Sequence, residues 1–137
     1  MAVLRQMADG GTRSTAAGLI SRVDPVVWKH IEVTSKVDPH FFAFRWITLL
    51  LSQEFDLPDT LRLWDAILAD PHGRADALLR VCCAMVVHVR GTLLQGDFSI
   101  IVKTLQRYPL VDVDVLLALA ASYPPCSEVL AKGRAHD

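Results

Sequence analysis

The sequence has little excess charge of either sign, because 14 lysines and arginines face 15 aspartates and glutamates for a formal net charge of −1. Proteins that bind nucleic acids or anionic membranes through charge usually carry a strong basic patch. We therefore expect no nucleic-acid partner. Direct membrane insertion is not expected either, since the most hydrophobic segment, 78–89, is interrupted by Arg80 and His88 and is too short to span a bilayer.

Cysteine is also scarce. The chain has three cysteines, and two of them, Cys82 and Cys83, are adjacent within an apolar run. This arrangement does not make a disulfide framework, and free cysteine is commonly a small buried hydrophobe. Residues 1–12 lack the apolar stretch of a signal peptide. Both observations favour a cytoplasmic protein.

The motifs of common catalytic and cofactor sites are missing. The five histidines lie in separate segments without zinc-ligand spacing, and Gly10-Gly11 lacks the Lys and Ser/Thr of a phosphate loop. No Gly-x-Ser-x-Gly elbow is present. The carboxylates Glu54, Asp56 and Asp59 could be taken for an acid–base group, but Asp56 precedes a Leu-Pro helix start and is expected to cap it. We expect no cofactor, no metal and no catalytic residue.

What the sequence does contain is a series of helix signals. Asp24-Pro25 and Asp38-Pro39 each place a capping carboxylate before a proline at the first helical position. Further helix starts are predicted at Asp56, at Asp97 and at Asp112 or Asp114. The alternation over 111–115 would also suit a strand, but the run is isolated. The prediction is an all-α, compact multi-helix bundle over 14–123, with a flexible leader at 1–13 and an irregular tail at 124–137.

Apolar spacing predicts which side chains each helix buries. The helix that starts at Asp38 should lie deep in the core through Leu51, and Arg74 to about Leu94 should form a central helix. The apolar residues expected to line one face of the helix after Asp56 are Leu57, Leu61, Trp64 and Leu68. Those expected inward after Asp97 are Phe98, Ile101, Val102 and Leu105, and those of the last helix are Val115, Leu116 and Leu119.

One block is more specific than helical packing requires. It runs from Phe41 to Asp65, as FFAFRWITLLLSQEFDLPDTLRLWD, and joins two aromatic-rich helical segments through an acidic, proline-bearing elbow. Its distinctive residues are Phe44, Arg45, Trp46, Glu54, Phe55, Leu57, Pro58, Arg62, Trp64 and Asp65. The block resembles the third signature of the TBC domain, which is the module of Rab GTPase-activating proteins. With Val23-Asp24-Pro25 and the apolar run after residue 79, the resemblance extends over about 19–120, the C-terminal half of such a domain.

The resemblance implies a helical regulator of small GTPases rather than an enzyme. TBC proteins act on Rab GTPases through an arginine and a glutamine finger, from an Arg-x-x-x-Trp-type block and a Tyr-x-Gln-Gly block, and the sequence contains neither. Gln95-Gly96 lies downstream of the third signature and is interpreted as a helix end, and Gln53 is no better a candidate. No catalytic residue can be carried over.

The signature residues are expected to be mainly structural. Arg45 should pair with Glu54 or Asp65 at the edge of the core, and Arg62 should brace the same region, although direct contact with a GTPase is the competing interpretation. Trp46 and Trp64 are expected to anchor the core, since tryptophan buries a large apolar area.

Three functions follow from the resemblance. The first is a Rab-regulating TBC module in membrane traffic that is inactive as a GTPase activator on its own, with a Rab GTPase as partner and a cytoplasmic location peripheral to endomembranes. The second is a non-catalytic Rab-binding effector or scaffold. The third is a truncated TBC domain that self-associates through exposed apolar surface.

Overall fold

The structure is a computed structural model that describes residues 18–36, 46, 49 and 51–126, and this part of the chain is built from helices joined by turns. Residues 18–23 form α1, and α2 (Pro25–Lys29) continues into a π-helical turn, His30–Thr34. The remaining helices are α3 (Leu57–Ala69), α4 (Arg74–His88), α5 (Arg90–Gln95), α6 (Phe98–Gln106) and α7 (Val113–Ser122). The all-α prediction is confirmed. The expected leader, the Asp38-Pro39 helix start and residues 127–137 of the expected tail lie outside the described residues.

Aspartate caps begin most of these helices, as the sequence predicts. In each case a carboxylate oxygen accepts a backbone N–H two or three residues further on: Asp24 from Val27 (3.2 Å), Asp56 from Asp59 (3.0 Å), Asp97 from Ile100 (3.1 Å) and Asp112 from Asp114 (2.9 Å). Such a cap stabilises a helix by about 1 kcal/mol. The last helix therefore starts at Asp112, one of the two positions left open.

The centre of the fold is α4, which packs chiefly against α7 and also against α3. Its predicted apolar stripe is buried, with Leu78, Cys82 and Met85 at most 4% exposed. The prediction of one helix from Arg74 to Leu94 is wrong. The helix stops at His88, because Val89 leaves helical geometry (φ −102°, ψ 19°) before α5 begins.

The predicted buried face of α3 is also wrong. Leu57, Leu61 and Leu68 are 68%, 48% and 64% exposed, and Trp64 is half-buried. The buried row is instead Thr60, Leu63 and Ile67. Both rows have helical spacing, so periodicity alone cannot choose between them. Burial of Thr60 is tolerated because its hydroxyl donates to the carbonyl of Phe55 at 3.2 Å.

Other expected core positions are exposed as well. Phe98 and Val115, in the first turns of α6 and α7, are 47% and 43% exposed. The inward-facing side chains of these two helices are Ile101, Leu105 and Leu116, all fully buried, with Val102 and Leu119 half-buried.

The segment before the elbow turns earlier than expected. Turns occur at Leu49 and over 51–54, so the prediction that the helix continues through Leu51 is wrong. Leu51 lies in the left-handed region (φ 66°) while its side chain is fully buried, and Leu49 is 43% exposed. A positive φ is a strained backbone conformation for leucine, and Leu51 adopts it with its side chain buried in the core.

Candidate functional site

The elbow of the signature block is organised by its carboxylates. Asp56 caps α3, and Pro58 lies in the first turn, where its missing N–H costs no hydrogen bond. Burial and, after it, the charges of Asp56 and Asp112 raise the pKa of Asp59. Asp56 and Asp112 are the N-caps of α3 and α7, and Asp59 lies in the first turn of α3. These three carboxylates therefore belong to the N-terminal ends of helices. The expectation that Asp56 caps a helix is confirmed.

An aromatic cluster holds the signature block to the central helix. Trp46 is fully buried and meets Tyr108 edge-on, with ring centroids 5.8 Å apart at 86°. Phe55 packs against the same tyrosine at 6.1 Å. The Tyr108 hydroxyl donates to the carbonyl of Met85 at 2.6 Å, and burial raises the pKa of Tyr108. Two of the four aromatic signature residues, Trp46 and Phe55, therefore contact a tyrosine that is hydrogen-bonded to α4.

The charged signature residues lie nearer the surface. Arg62 is exposed, and its Nη2 is 3.2 Å from Oδ1 of Asp114, which connects α3 to α7. Asp65 is exposed and Glu54 is half-buried. Phe44 and Arg45 lie outside the described residues, so the expected pairing of Arg45 with Glu54 or Asp65 stays a prediction.

A buried ion-pair group that the sequence did not predict joins α4 to the C-terminal end of α3. Arg80, 5% exposed, places Nη2 2.6 Å from Asp70 and Nε 2.8 Å from Asp76. Burial favours a raised pKa for Asp70, but the hydrogen bonds from Arg80 and from the His72 N–H outweigh it and lower the pKa. The spacing of four residues between Asp76 and Arg80 within a helix is the sequence pattern that indicates this ion pair.

A second ion pair and a hydrogen bond of a histidine ring hold the N-terminal helices to α5. Arg90 Nε lies 2.6 Å from Oδ2 of Asp24, whose other oxygen caps α2. The His30 ring nitrogen Nε2 is 2.9 Å from the carbonyl of Gly96. Gly96 follows Gln95 at the end of α5, so the prediction of a helix end at Gln95-Gly96 is confirmed.

The side chains of the types that perform covalent or metal chemistry are in unreactive surroundings. Burial raises the pKa of all three thiols, to about 12 for Cys126, and thereby suppresses the reactive thiolate. Among the described residues, no group of His, Cys, Asp or Glu side chains is arranged to hold a metal ion. A cavity of about 130 Å³ lies between α3, α4 and α7, and a second of about 520 Å³ lies along α6 between Phe98 and Arg107.

Within the same part of the chain, no helix has both the length and the apolar character needed to cross a membrane.

The contacts described for the candidate site are helix caps, aromatic packing and ion pairs. These contacts position helices relative to one another.

The chain is similar to proteins of one family. A family model described as the Rab-GTPase-TBC domain matches residues 14–94. The TBC1 domain family member 13 of Homo sapiens is 55% identical over 84 residues, which are 61% of this chain and 21% of that protein. The human TBC1 domain family member 22A is 38% identical over 109 residues, or 77% of this chain and 21% of the relative.

A solved structure has the same fold. The crystal structure of the Ypt/Rab-GAP domain of Gyp1p matches with a TM-score of 0.70 and 25% identity, over 98% of this chain and 38% of that one. The chain spans about a fifth of the length of the curated relatives that it matches. Because the family model matches more than half of the residues, the chain belongs to the Rab-GTPase-TBC domain family.

Proposed function

We propose that this chain is the scaffold portion of a TBC-type regulator of Rab GTPases and has no GTPase-activating activity by itself. The observation that carries the proposal is the aromatic cluster. The signature residues Trp46 and Phe55 pack on Tyr108, which is anchored to α4. The packing of these two aromatic side chains supports a structural role for this part of the block.

The expected lack of GTPase-activating activity is based on the sequence. An arginine finger stabilises charge on the transferred phosphoryl group and contributes on the order of 10³–10⁵ in rate. Neither the arginine block nor the glutamine block of the family occurs in the 137 residues. The chain is therefore a regulator's framework rather than an enzyme, and it acts only with fingers supplied from elsewhere.

The partner in this proposal is a small GTPase of the Rab family. The Gyp1p domain is described as a Ypt/Rab-GAP domain, and the present chain has its fold over 98% of its length. With a Rab partner, the protein would lie in the cytoplasm at the periphery of endomembranes. Its role would be in vesicle traffic. Arg62 and Asp65, both exposed on α3, are the signature charges available for such a contact.

The test is nucleotide-dependent binding. Immobilised chain 1–137 is incubated with a panel of Rab GTPases loaded with GTP analogue or GDP, with the intact Gyp1p domain as a positive reference. Binding of at least one Rab that depends on the nucleotide supports the proposal. Failure to bind any Rab in either state would contradict it. Binding of a Rab with no acceleration of its GTP hydrolysis, even when the rest of a TBC domain is supplied, would instead favour the effector or scaffold function.

A further inference from the structure

A groove runs along α6, outside the signature block. We name it the α6 groove, and its volume is about 520 Å³. The described residues that line it are Phe98, Ser99, Val102, Lys103, Gln106 and Arg107. All of them belong to α6 or to its C-cap, Arg107. Because a helix rises about 1.5 Å per residue, this lining extends over roughly 14 Å.

The lining divides into an apolar row and a basic row. Phe98, 47% exposed, and Val102, half-buried, are one turn apart and fall within about 40° of each other around the helix. Lys103 and Arg107 are also four residues apart, and both are exposed. Lys103 lies roughly 100–140° around the helix from the apolar row. The α6 groove therefore offers apolar contact along one edge and positive charge along the other.

The apolar row is the edge nearer the core. Ile101 and Leu105 are the fully buried residues of α6, and Phe98 lies about 20–60° around the helix from them. Lys103 lies about 160° from the same two residues, on the solvent side. A ligand in the groove thus meets apolar surface on its inner side and cations on its outer side.

The two cations have no carboxylate partner in the described part of the chain. Arg62, Arg80 and Arg90 each lie within 3.2 Å of an aspartate oxygen. Across the same residues, no carboxylate comes within ion-pair distance of Lys103 or Arg107. The positive charge of the groove is therefore not neutralised by the described residues.

Charge also changes sign along the groove. The only acidic residue in the sequence 97–107 is Asp97, at the start of α6. Its carboxylate caps the helix by accepting the N–H of Ile100 at 3.1 Å. Lys103 and Arg107 lie at the opposite end. An acidic ligand is thus attracted to the C-terminal end of α6 and repelled at its start.

The open shape of the groove indicates an elongated ligand. Pockets for small molecules bury most of the ligand surface, typically 70–90% or more. Ser99, Lys103 and Arg107 are all exposed, and a single helix supplies the described lining. This lining does not enclose a small molecule. A peptide segment that lies along the helix can contact both rows at once.

The number of cations separates a peptide from other anionic partners. Segments that bind acidic lipids usually carry clusters of four to eight lysines and arginines, whereas this groove has two. Nucleic-acid binding is favoured by a strong basic field, and the chain has a net charge of −1. Two cations beside an apolar row are complementary to a few carboxylates beside one apolar side chain.

We propose that the α6 groove binds a short acidic amphipathic segment of a partner protein. A bulky apolar side chain of the segment contacts Phe98 and Val102, and its carboxylates pair with Lys103 and Arg107. The acidic end of the segment lies towards the C-terminal end of α6, away from Asp97. This inference goes beyond the proposed function, because it involves neither the signature block nor a GTPase.

The experiment selects ligands without assuming their sequence. A phage-displayed library of random peptides of about 12 residues, long enough to span the groove as a helix, is selected on immobilised chain 1–137. The Kd of synthetic copies of the enriched peptides is measured by fluorescence anisotropy at low and high salt. Vesicles that contain phosphatidylserine and a poly-dT oligonucleotide are tested as alternative anionic ligands.

The groove variant is Lys103→Glu/Arg107→Glu. The matched control is Arg22→Glu/Lys29→Glu, which makes the same change in net charge at two exposed cations that do not line the groove. Ser99→Glu is a second groove variant. It places a carboxylate in the first turn of α6, where the helix dipole favours negative charge, so it tests the groove even if the double variant is unstable.

The enriched peptides should combine at least two acidic residues with a bulky apolar residue. Lys103→Glu/Arg107→Glu should raise their Kd at least tenfold, because the groove then repels the carboxylates. Ser99→Glu should also raise Kd. The control should stay within about twofold of the wild type, and high salt should weaken binding because it screens exposed charges.

Three outcomes would overturn the inference. The first is a selection that enriches no acidic peptides. The second is equal weakening by the groove variant and by the control, which would reduce the effect to net charge. The third is binding of the vesicles or of the oligonucleotide, lost in the groove variant, without any acidic peptide; that result would assign the groove to a membrane surface or to a nucleic acid. No GTPase is present, so each outcome is independent of whether the chain binds a Rab.

Discussion

The buried ion-pair group around Arg80 gives a prediction whose size can be worked out from the structure. Replacing the guanidinium with an apolar side chain of similar length, Arg80→Met, leaves the carboxylates of Asp70 and Asp76 in place, 18% and 9% exposed. Breaking a fully buried pair costs about 3–5 kcal/mol. Asp70 keeps some solvent contact and a hydrogen bond from the His72 N–H at 2.9 Å, so we expect a loss of about 2–3 kcal/mol.

The assay is urea unfolding at pH 7, supported by thermal melts. A loss of 2–3 kcal/mol should lower the melting temperature by roughly 10 °C in a domain of this size. The control is Arg62→Met, which breaks an ion pair of 3.2 Å whose side chains are 56% and 67% exposed. That change should cost no more than about 0.5 kcal/mol, because exposed pairs contribute little.

The same variant has a pH signature. The folded-state pKa of Asp70 is lowered, so its contribution to the free energy of unfolding is present above the ordinary pKa of 3.8 and is lost as pH falls through the folded value. The stability difference between wild type and Arg80→Met should therefore narrow below about pH 4. Two results would contradict a stabilising role of the Arg80 ion pairs: an Arg80→Met chain within about 0.5 kcal/mol of wild type at pH 7, or a stability difference that widens in acid.

Three further predictions concern packing and reactivity. A Cβ at Gly96 would lie 2.6 Å from Cγ2 of Ile100, so Gly96→Ala should destabilise the fold by about 1–3 kcal/mol, and adding Ile100→Ala should recover part of the loss in thermal melts. Tyr108→Phe removes the hydrogen bond to the Met85 carbonyl and should cost about 1 kcal/mol in urea unfolding without changing the far-UV spectrum. The three buried thiols should react with a disulfide reagent only after denaturant is added; rapid reaction of the native chain would contradict their burial.

Local signals allowed much of the fold to be predicted. The caps at Asp24, Asp56 and Asp97 are visible in the sequence because a short carboxylate before a helix bonds only to backbone nearby. The choice of buried face on α3 was not predictable in the same way. The rows of Leu61 and Leu63 have equal helical spacing, and the packing of α4 and α7 decides between them.

The candidate site was also predictable from the sequence only in part. The family could be named from the signature block, and Trp46 was expected in the core, where it lies. Its contact with Tyr108 joins residues 62 positions apart, and no local pattern encodes that distance. Neither the break at Val89 nor the left-handed Leu51 is marked by a glycine or proline at that position, so no local signal predicts them.

We propose that these residues are a TBC-family scaffold without the chemistry of GTPase activation. Single-turnover GTP hydrolysis by a Rab panel, with chain 1–137 in excess, tests it most directly, and the intact Gyp1p domain is the positive reference. We expect hydrolysis at the intrinsic rate of each Rab, since an absent arginine finger alone forfeits on the order of 10³–10⁵ in rate. Acceleration by chain 1–137 comparable to that of the intact Gyp1p domain would contradict it.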